Sequence, residues 1–314
     1  MRRFLGKSAI FFFLVFILGL MSLAFVQDGK VDKFYARFTS PRQQSLIIGS
    51  SLGAIGIRPG VLNESLEPLA SENMEIYNYC FSIRNSPYGS PYLNAIKKKL
   101  AETSNEGLFL VEVNPWAMKI PKHMKDPGRW PEQDLPPGNM SFVTMRPNVE
   151  YLFRNYPHPW YYAVLGKESD WLEKVHDNGW MEIGVVYSRD NYLRAVERKT
   201  EMLAATAEAS RMSPRRLDYL ERIIAFLKTR GRVILVKTPV NKEIAAVEKR
   251  FAPNFGREIR GIARRQEVVY LDYSRLNGRF QTIDGNHLTP AAAGAFTKLL
   301  SQDLLDGLQI SVAF

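Results

Sequence analysis

Two stretches far apart in the chain carry side chains that could act together in nucleophilic catalysis. The first is the turn Gly49-Ser50-Ser51-Leu52-Gly53, and the second is Asp284-Gly285-Asn286-His287 near the C-terminus. A serine nucleophile needs a base within hydrogen-bond reach, usually a histidine, and an acceptor that orients the imidazole. Ser51, His287 and Asp284 have the chemistry for these three roles. Taken singly, each motif is more often a helix cap or a surface pair than a catalytic element.

The elements around these motifs predict how they are positioned. Ser45-Leu46-Ile47-Ile48 is typical of a short buried strand that enters a tight turn. Strand and helix patterns then alternate, which favours an α/β fold with a central parallel sheet and right-handed crossovers. The further predicted strands are Met74–Phe81, Leu108–Asn114, Val233–Pro239 and Val268–Asp272, and the predicted helices include Tyr92–Thr103, Tyr192–Ala209, a helix starting at Ser213-Pro214, Lys242–Phe251 and Pro290–Leu304.

Composition restricts the classes of partner. The chain has 314 residues and a formal net charge of +10, and the basic excess is spread over several segments instead of forming one tract with interleaved aromatics. This distribution favours contact with anionic glycans or lipid head groups and argues against nucleic acid as a partner. Cys80 is the only cysteine, so no intrachain disulfide can form.

An uncharged apolar run from Ser8 to Val26 follows three basic residues, Arg2, Arg3 and Lys7. A run of about 20 apolar residues can cross a bilayer as a helix. Because basic flanks stay in the cytoplasm, the rest of the chain is expected on the extracytoplasmic, or periplasmic, side of the cytoplasmic membrane. A cleaved signal peptide is the alternative, although Ser22-Leu23-Ala24 is a poor cleavage site and the run is long for such a peptide.

The expected organisation is a transmembrane anchor with a short cytoplasmic tip at 1–27, a juxtamembrane linker at 28–44 and a main domain at 45–314. Within that domain, residues 115–191 are rich in proline, glycine and aromatics, and contain all five tryptophans. A structureless loop of this length is improbable in a compact domain, so we expect an inserted subdomain. Its tryptophans could stack on sugar faces or fill the core of the insertion, and we expect one or two to line a cleft.

In order and strand context, these motifs resemble the SGNH, or GDSL-type, hydrolase superfamily. The resemblance implies a flavodoxin-like three-layer sandwich, a catalytic triad of Ser51, His287 and Asp284, and no cofactor or metal. It also implies an oxyanion hole formed by the Ser51 backbone N–H and the Asn114 side chain. The chain departs from the family pattern at Ser50, where many members have aspartate, at the residues flanking Asn114, and after the second strand, where no glycine follows until Gly89.

One N-terminal membrane helix followed by such a domain is similar to proteins that acylate exopolysaccharides or teichoic acids. The resemblance implies an acyltransferase that passes an acyl group, expected to be acetyl, through Ser51 to a surface or exported polysaccharide. A multi-pass membrane O-acyltransferase would be the partner that delivers the acyl group. Two alternatives remain open: an esterase or deacetylase, since water can resolve the same acyl-enzyme, and an inactive glycan-binding scaffold of a polysaccharide export complex.

Overall fold

A five-stranded parallel sheet forms the centre of the computed structural model, which describes residues 1–26, 32–67, 75–102, 106–125, 130–156, 173–185 and 187–312. The strands, in chain order, are β1 (Ser45–Ile48), β2 (Ile76–Asn78), β3 (Gly107–Glu112), β4 (Lys119–Pro121), β5 (Glu173–Val175), β6 (Met181–Ile183), β7 (Ser210–Met212), β8 (Gly231–Lys237) and β9 (Val269–Asp272). The central sheet has the order β2-β1-β3-β8-β9, and each neighbouring pair is parallel. This is the order of flavodoxin-like sheets, in which ligands bind at the carboxyl edge where the strand order reverses.

Helices cover both faces of this sheet. The α-helices are α1 (Arg2–Val26), α2 (Tyr35–Thr39), α3 (Ser51–Gly56), α4 (Pro59–Leu66), α5 (Ser90–Lys99), α6 (Val149–Asn155), α7 (Arg189–Ala209), α8 (Pro214–Lys228), α9 (Lys242–Phe251), α10 (Phe255–Gln266) and α11 (Pro290–Val312). Leu46 and Ile48 of β1 join a core with residues of α5, α8 and α10, whereas Ile47 joins a core with residues of α3, α4 and α11. Successive side chains of a strand point to opposite faces, so the arrangement is compatible with a three-layer sandwich.

Several elements differ from the sequence-based expectations. The second strand is limited to Ile76–Asn78, and the last helix continues beyond Leu304 to Val312. Helix α10 was not expected, although Phe255, Ile259 and Ile262 recur at helical spacing and are all buried. Two antiparallel ribbons, β4 with β7 and β5 with β6, were also not expected. Strands of three residues carry too little periodicity to be recognised from sequence alone.

The three described tryptophans of segment 115–191, Trp116, Trp130 and Trp180, are buried, so none of these three is a cleft-lining ring of the kind that we expected. Trp116 stacks on Phe251 with ring centroids 5.1 Å apart, and Trp130 meets Tyr219 edge to face at 5.4 Å. The Trp180 indole donates to the Ile55 carbonyl at 2.9 Å. Trp160 and Trp171 lie outside the described residues. In the described part of the chain, these rings therefore contribute packing between the segment and the sheet domain.

The N-terminal helix α1 has the length and composition of a membrane span over Arg2–Met21. Almost all of that stretch is exposed, in contrast to the buried core helix of a soluble protein. Its second half contacts the rest of the chain, since Leu20 is buried in the core and the Phe16 ring centroid lies 6.2 Å from that of Phe153. The large exposed apolar surface that remains is suited to lipid.

Candidate active site

The side chains of Ser51, His287 and Asp284 meet at the carboxyl edge of the central sheet. Ser51 Oγ lies 2.9 Å from His287 Nε2. On the other side of the imidazole, His287 Nδ1 lies 3.0 Å from Asp284 Oδ2 and 3.2 Å from Oδ1. These distances are within hydrogen-bond range, so the three groups form a connected chain from hydroxyl to carboxylate. This is the arrangement in which a histidine can take the serine proton while a carboxylate fixes its tautomer.

Strand β1 and a glycine turn place Ser51 at this edge. Gly49 has a φ of +147°, and a Cβ there would lie 2.7 Å from both Cβ and Oε2 of Glu112, so no other residue fits without a shift. Ser50 then caps α3, because its Oγ accepts from the Leu52 N–H at 3.2 Å. Ser51 is the first residue of that helix and is partly exposed, whereas Ser50 is fully buried. Only the second serine can therefore meet a substrate.

The buried carboxylate of Glu112, at the end of β3, accepts hydrogen bonds from the same turn. Its Oε2 accepts from the Ser50 N–H and the Ser50 hydroxyl, both at 2.9 Å, and its Oε1 accepts from Asn114 Nδ2 at 2.8 Å. Burial raises the pKa of the Glu112 carboxyl, while the hydrogen bonds from Asn114 and Ser50 and the charge of Lys237 act to lower it. Sequence analysis missed this residue, although a glutamate inside an apolar strand was an available signal.

A tight loop before α11 presents Asp284 and His287 together. Asp284 Oδ1 accepts the backbone N–H of His287 at 2.9 Å and that of Asn286 at 3.0 Å. Gly285 has a φ of +83°, and its carbonyl accepts from the Asn241 N–H at 2.8 Å, which attaches the loop to the start of α9. The spacing Asp-x-x-His therefore produces a local turn in which the carboxylate orients both the backbone and the imidazole.

The electrostatics of the loop favour an ionised Asp284. Burial acts to raise its pKa, but the charge and hydrogen bond of His287, together with Lys199, outweigh burial and hold the pKa well below its usual range. Lys199 Nζ lies 3.5 Å from Asp284 Oδ2 and comes from α7, a helix that the sequence analysis placed but did not connect with the site. The carboxylate is thus held by two positive partners at once when His287 is protonated.

Asn114 follows β3 but is engaged differently from the expected oxyanion donor. Its Nδ2 donates to Ser50 Oγ at 2.9 Å and to Glu112 Oε1 at 2.8 Å, and its Oδ1 accepts from the Ala117 N–H at 3.0 Å. Both amide hydrogens therefore have acceptors inside the protein, and the side chain is buried. In this arrangement Asn114 supports the Ser51 turn and does not offer a free N–H to a substrate.

Two backbone N–H groups, one on the Ser51 turn and one after β2, have the property that an oxyanion donor needs. Within the described residues, neither the Ser51 N–H nor the Ser82 N–H has a hydrogen-bond partner. Ser51 N–H is one of the orphan donors at the start of α3. Ser82 follows β2, and the next residue, Ile83, packs into the cluster that contains Leu52. As for metals, the described ranges contain no group of three or more His, Cys, Asp or Glu that could hold an ion.

The chain matches no family model, and a search of the curated proteins finds no significant match.

Proposed function

We propose that the chain is a serine-dependent acyl-transfer enzyme with an SGNH-like site. The observation that supports this proposal is the continuous hydrogen-bonded chain from Ser51 through His287 to Asp284, with Ser51 Oγ and His287 Nε2 2.9 Å apart. Ser51 and His287 are 236 residues apart in the sequence, and the hydroxyl meets the imidazole at the nitrogen opposite to the one that faces Asp284.

In the proposed reaction, Ser51 Oγ attacks the carbonyl carbon of an acyl ester or thioester while His287 Nε2 takes the hydroxyl proton. The negative charge that develops on the carbonyl oxygen is stabilised by the N–H of Ser51 and that of Ser82. One such donor contributes about 3 kcal/mol of transition-state stabilisation. His287 then returns its proton to the leaving group, and an acyl-Ser51 ester remains.

The second half of the reaction separates transfer from hydrolysis. A sugar hydroxyl gives its proton to His287 Nε2 and attacks the acyl-Ser51 carbon. As the bond between the acyl carbon and Ser51 Oγ breaks, His287 passes that proton to Oγ, so the serine is regenerated and an O-acylated glycan is released. We propose transfer to a polysaccharide outside the cytoplasm because α1 has the features of a membrane anchor and its basic residues precede the apolar run. An acetyl donor and delivery by a multi-pass membrane partner belong to this proposal.

The test uses the full chain in detergent micelles with a chromogenic acetyl ester, in the presence and absence of a polysaccharide acceptor. We expect slow release of acetate without acceptor, and acceptor-dependent turnover with it. Ser51→Ala and His287→Ala should each abolish both reactions. Ser65→Ala is the matched control, since the Ser65 hydroxyl only donates to the Val61 carbonyl within α4.

The alternatives give different results in the same assay. Rapid, Ser51-dependent release of acetate that no acceptor changes would replace transfer by an esterase. No reaction in the wild-type chain, together with normal function of Ser51→Ala in cells, would leave an inactive scaffold. A wild-type rate for purified Ser51→Ala would contradict any role for this serine.

A further inference from the structure

A cleft of about 440 Å³ lies directly beside the Asp284 carboxylate. One wall of the cleft is a face of α7. The lining includes Tyr187, Arg194, Arg198, Lys199, Met202 and Asp284. Its volume is in the range that holds a small ligand or one to two sugar rings. None of the reaction steps proposed above uses this space.

Contacts between α7 and the loop before α11, which carries Asp284 and His287, fix the position of the cleft relative to these two residues. Tyr192 Oη lies 3.1 Å from Thr282 Oγ1, and Lys199 Nζ lies 3.5 Å from Asp284 Oδ2. Val196 is buried, and a Cβ on Gly285 would lie 3.3 Å from its Cγ1. A ligand in the cleft would therefore lie beside Asp284, which is the member of the triad farthest from Ser51 along the hydrogen-bonded chain.

The charge of the cleft is positive and unbalanced. The one carboxylate in its lining, Asp284, already has His287 and Lys199 as partners. Arg198 forms no ion pair or hydrogen bond with any described residue, and the guanidinium of Arg194 donates to the neutral Asn191 side chain. Neither arginine forms an ion pair with the four acidic residues of α7, namely Asp190, Glu197, Glu201 and Glu208. Two guanidinium groups without carboxylate partners are suited to bind carboxylate or phosphate oxygens.

Apolar surface accompanies this charge. Tyr187 is 42% exposed and Met202 is 49% exposed, and both contribute to the cleft wall. An aromatic ring together with two guanidinium groups is complementary to a sugar that carries an acidic group. The ring packs on the apolar face of the sugar, and the guanidinium groups bind the acidic group. A neutral glycan would leave both guanidinium groups unpaired.

We propose that this cleft binds an anionic saccharide segment of the acceptor, with Arg194 and Arg198 on its carboxylate or phosphate group and Tyr187 on a sugar face. That the bound saccharide is an acceptor rests on the proposed function, whereas its binding needs no chemistry at Ser51. The proposal identifies the substrate class as an acidic glycan and places its charged group beside Asp284.

Binding is measured on the full-length Ser51→Ala variant in detergent micelles, so that no turnover takes place. The probes are an oligogalacturonate, whose charges are carboxylates, a phosphorylated mannan oligosaccharide, whose charges are phosphates, and a neutral malto-oligosaccharide. We expect at least one acidic probe to bind more tightly than the neutral one, with an affinity that falls as NaCl rises. Comparison of the two acidic probes identifies the anion.

Variants then locate the site. The substitutions Arg194→Gln and Arg198→Gln are introduced together into Ser51→Ala. We expect them to lower the affinity for the acidic probe by about 10-fold or more, because two charge-assisted contacts are lost. The pair Arg257→Gln and Arg264→Gln removes the same charge from exposed positions of α10 and should change affinity by less than about 2-fold. Each of three results would overturn the proposal: an equal loss of affinity in both pairs of substitutions, equal affinity for the neutral and the acidic probes, or no binding of either acidic probe.

Covalent labelling of the wild-type chain by a fluorophosphonate keeps this test separate from that of the proposed function. If the wild type is labelled at Ser51 but acidic probes show no preference, the enzyme proposal stands and the cleft proposal is wrong. If Arg194 and Arg198 are required for binding but Ser51 is never labelled, the cleft binds an acidic glycan without acyl transfer.

Discussion

Replacing Glu112 by glutamine should loosen the turn that carries Ser51. The carboxylate accepts three hydrogen bonds, two from Ser50 and one from Asn114, and it donates none. An amide can accept on its oxygen but presents N–H groups at the other position. If the oxygen stays with Ser50, the new NH₂ meets the NH₂ of Asn114, and if the amide turns over, it meets the Ser50 N–H. Either orientation sets two donors against each other in a buried site.

The size of the effect follows from the number of groups left without an acceptor. One unsatisfied buried donor costs about 1–3 kcal/mol, so we expect Glu112→Gln to lower the free energy of unfolding by that amount. The nucleophile should also lose its fixed position relative to His287. Since a displacement of about 1 Å can reduce a rate by about 100-fold, we expect the rate of fluorophosphonate labelling at Ser51 to fall by about 10- to 100-fold.

Both quantities are measurable on the full chain in detergent, with unfolding by urea followed through tryptophan fluorescence. Glu258→Gln, a substitution at an exposed position of α10, controls for the loss of a negative charge. The double variant Glu112→Gln with Asn114→Asp exchanges the amide and the carboxylate, so it should recover part of both losses. Wild-type unfolding and wild-type labelling in Glu112→Gln, or no recovery in the double variant, would refute the role assigned to this carboxylate.

Three further predictions concern the turn, the loop and the membrane. Gly49→Ala should lower the labelling rate of Ser51 and the urea midpoint together, because its Cβ would lie 2.7 Å from Glu112; unchanged labelling would contradict the close contact. The stabilisation that Asp284 provides should be present above the ordinary carboxyl pKa and be lost as pH falls towards its lowered folded pKa, so the urea midpoints of wild type and Asp284→Asn should differ at pH 7, and the difference should begin to shrink as the pH falls below about 4. A difference that grows on acidification would contradict this assignment. A reporter that is active only outside the cytoplasm, fused after Phe314, should be active, and activity of a cytoplasmic reporter there would reverse the proposed topology.

The central part of the fold could be predicted because its signals are local and strong. Leu46 to Ile48 is an apolar run that ends at glycine, and Lys242–Phe251 was predicted with the bounds that the structure has. Parallel strands joined by helices bring their carboxyl ends to one edge, so the meeting of Ser51 with the loop of Asp284 and His287 followed from the order of elements. The three-residue ribbons are too short to give a comparable signal, whereas α10 has apolar residues at helical spacing that the sequence-based prediction did not use.

The supporting residues of the site were less accessible to sequence analysis because their roles depend on tertiary contacts. Lys199 belongs to a helix with exposed charges on most sides, and nothing in its spacing indicates that it faces Asp284. Asn114 was expected to donate to a substrate, but its side-chain NH₂ group donates to Ser50 and Glu112 instead. Glu112 offered the clearest missed signal, since an acidic residue in a buried strand requires partners.

Ser50 and Ser51 differ in how much of the hydrogen-bond capacity of their hydroxyl groups is already used within the protein. Ser50 Oγ donates to Glu112 and accepts from the Leu52 N–H and from Asn114, which uses its one proton and both lone pairs. It is buried and has no capacity left for a substrate or for His287. Ser51 Oγ has His287 as its partner within the described residues, and its lone pairs remain available for attack. Because Glu112 and Asn114 saturate the first serine, the second is the only hydroxyl of this turn that can serve as a nucleophile.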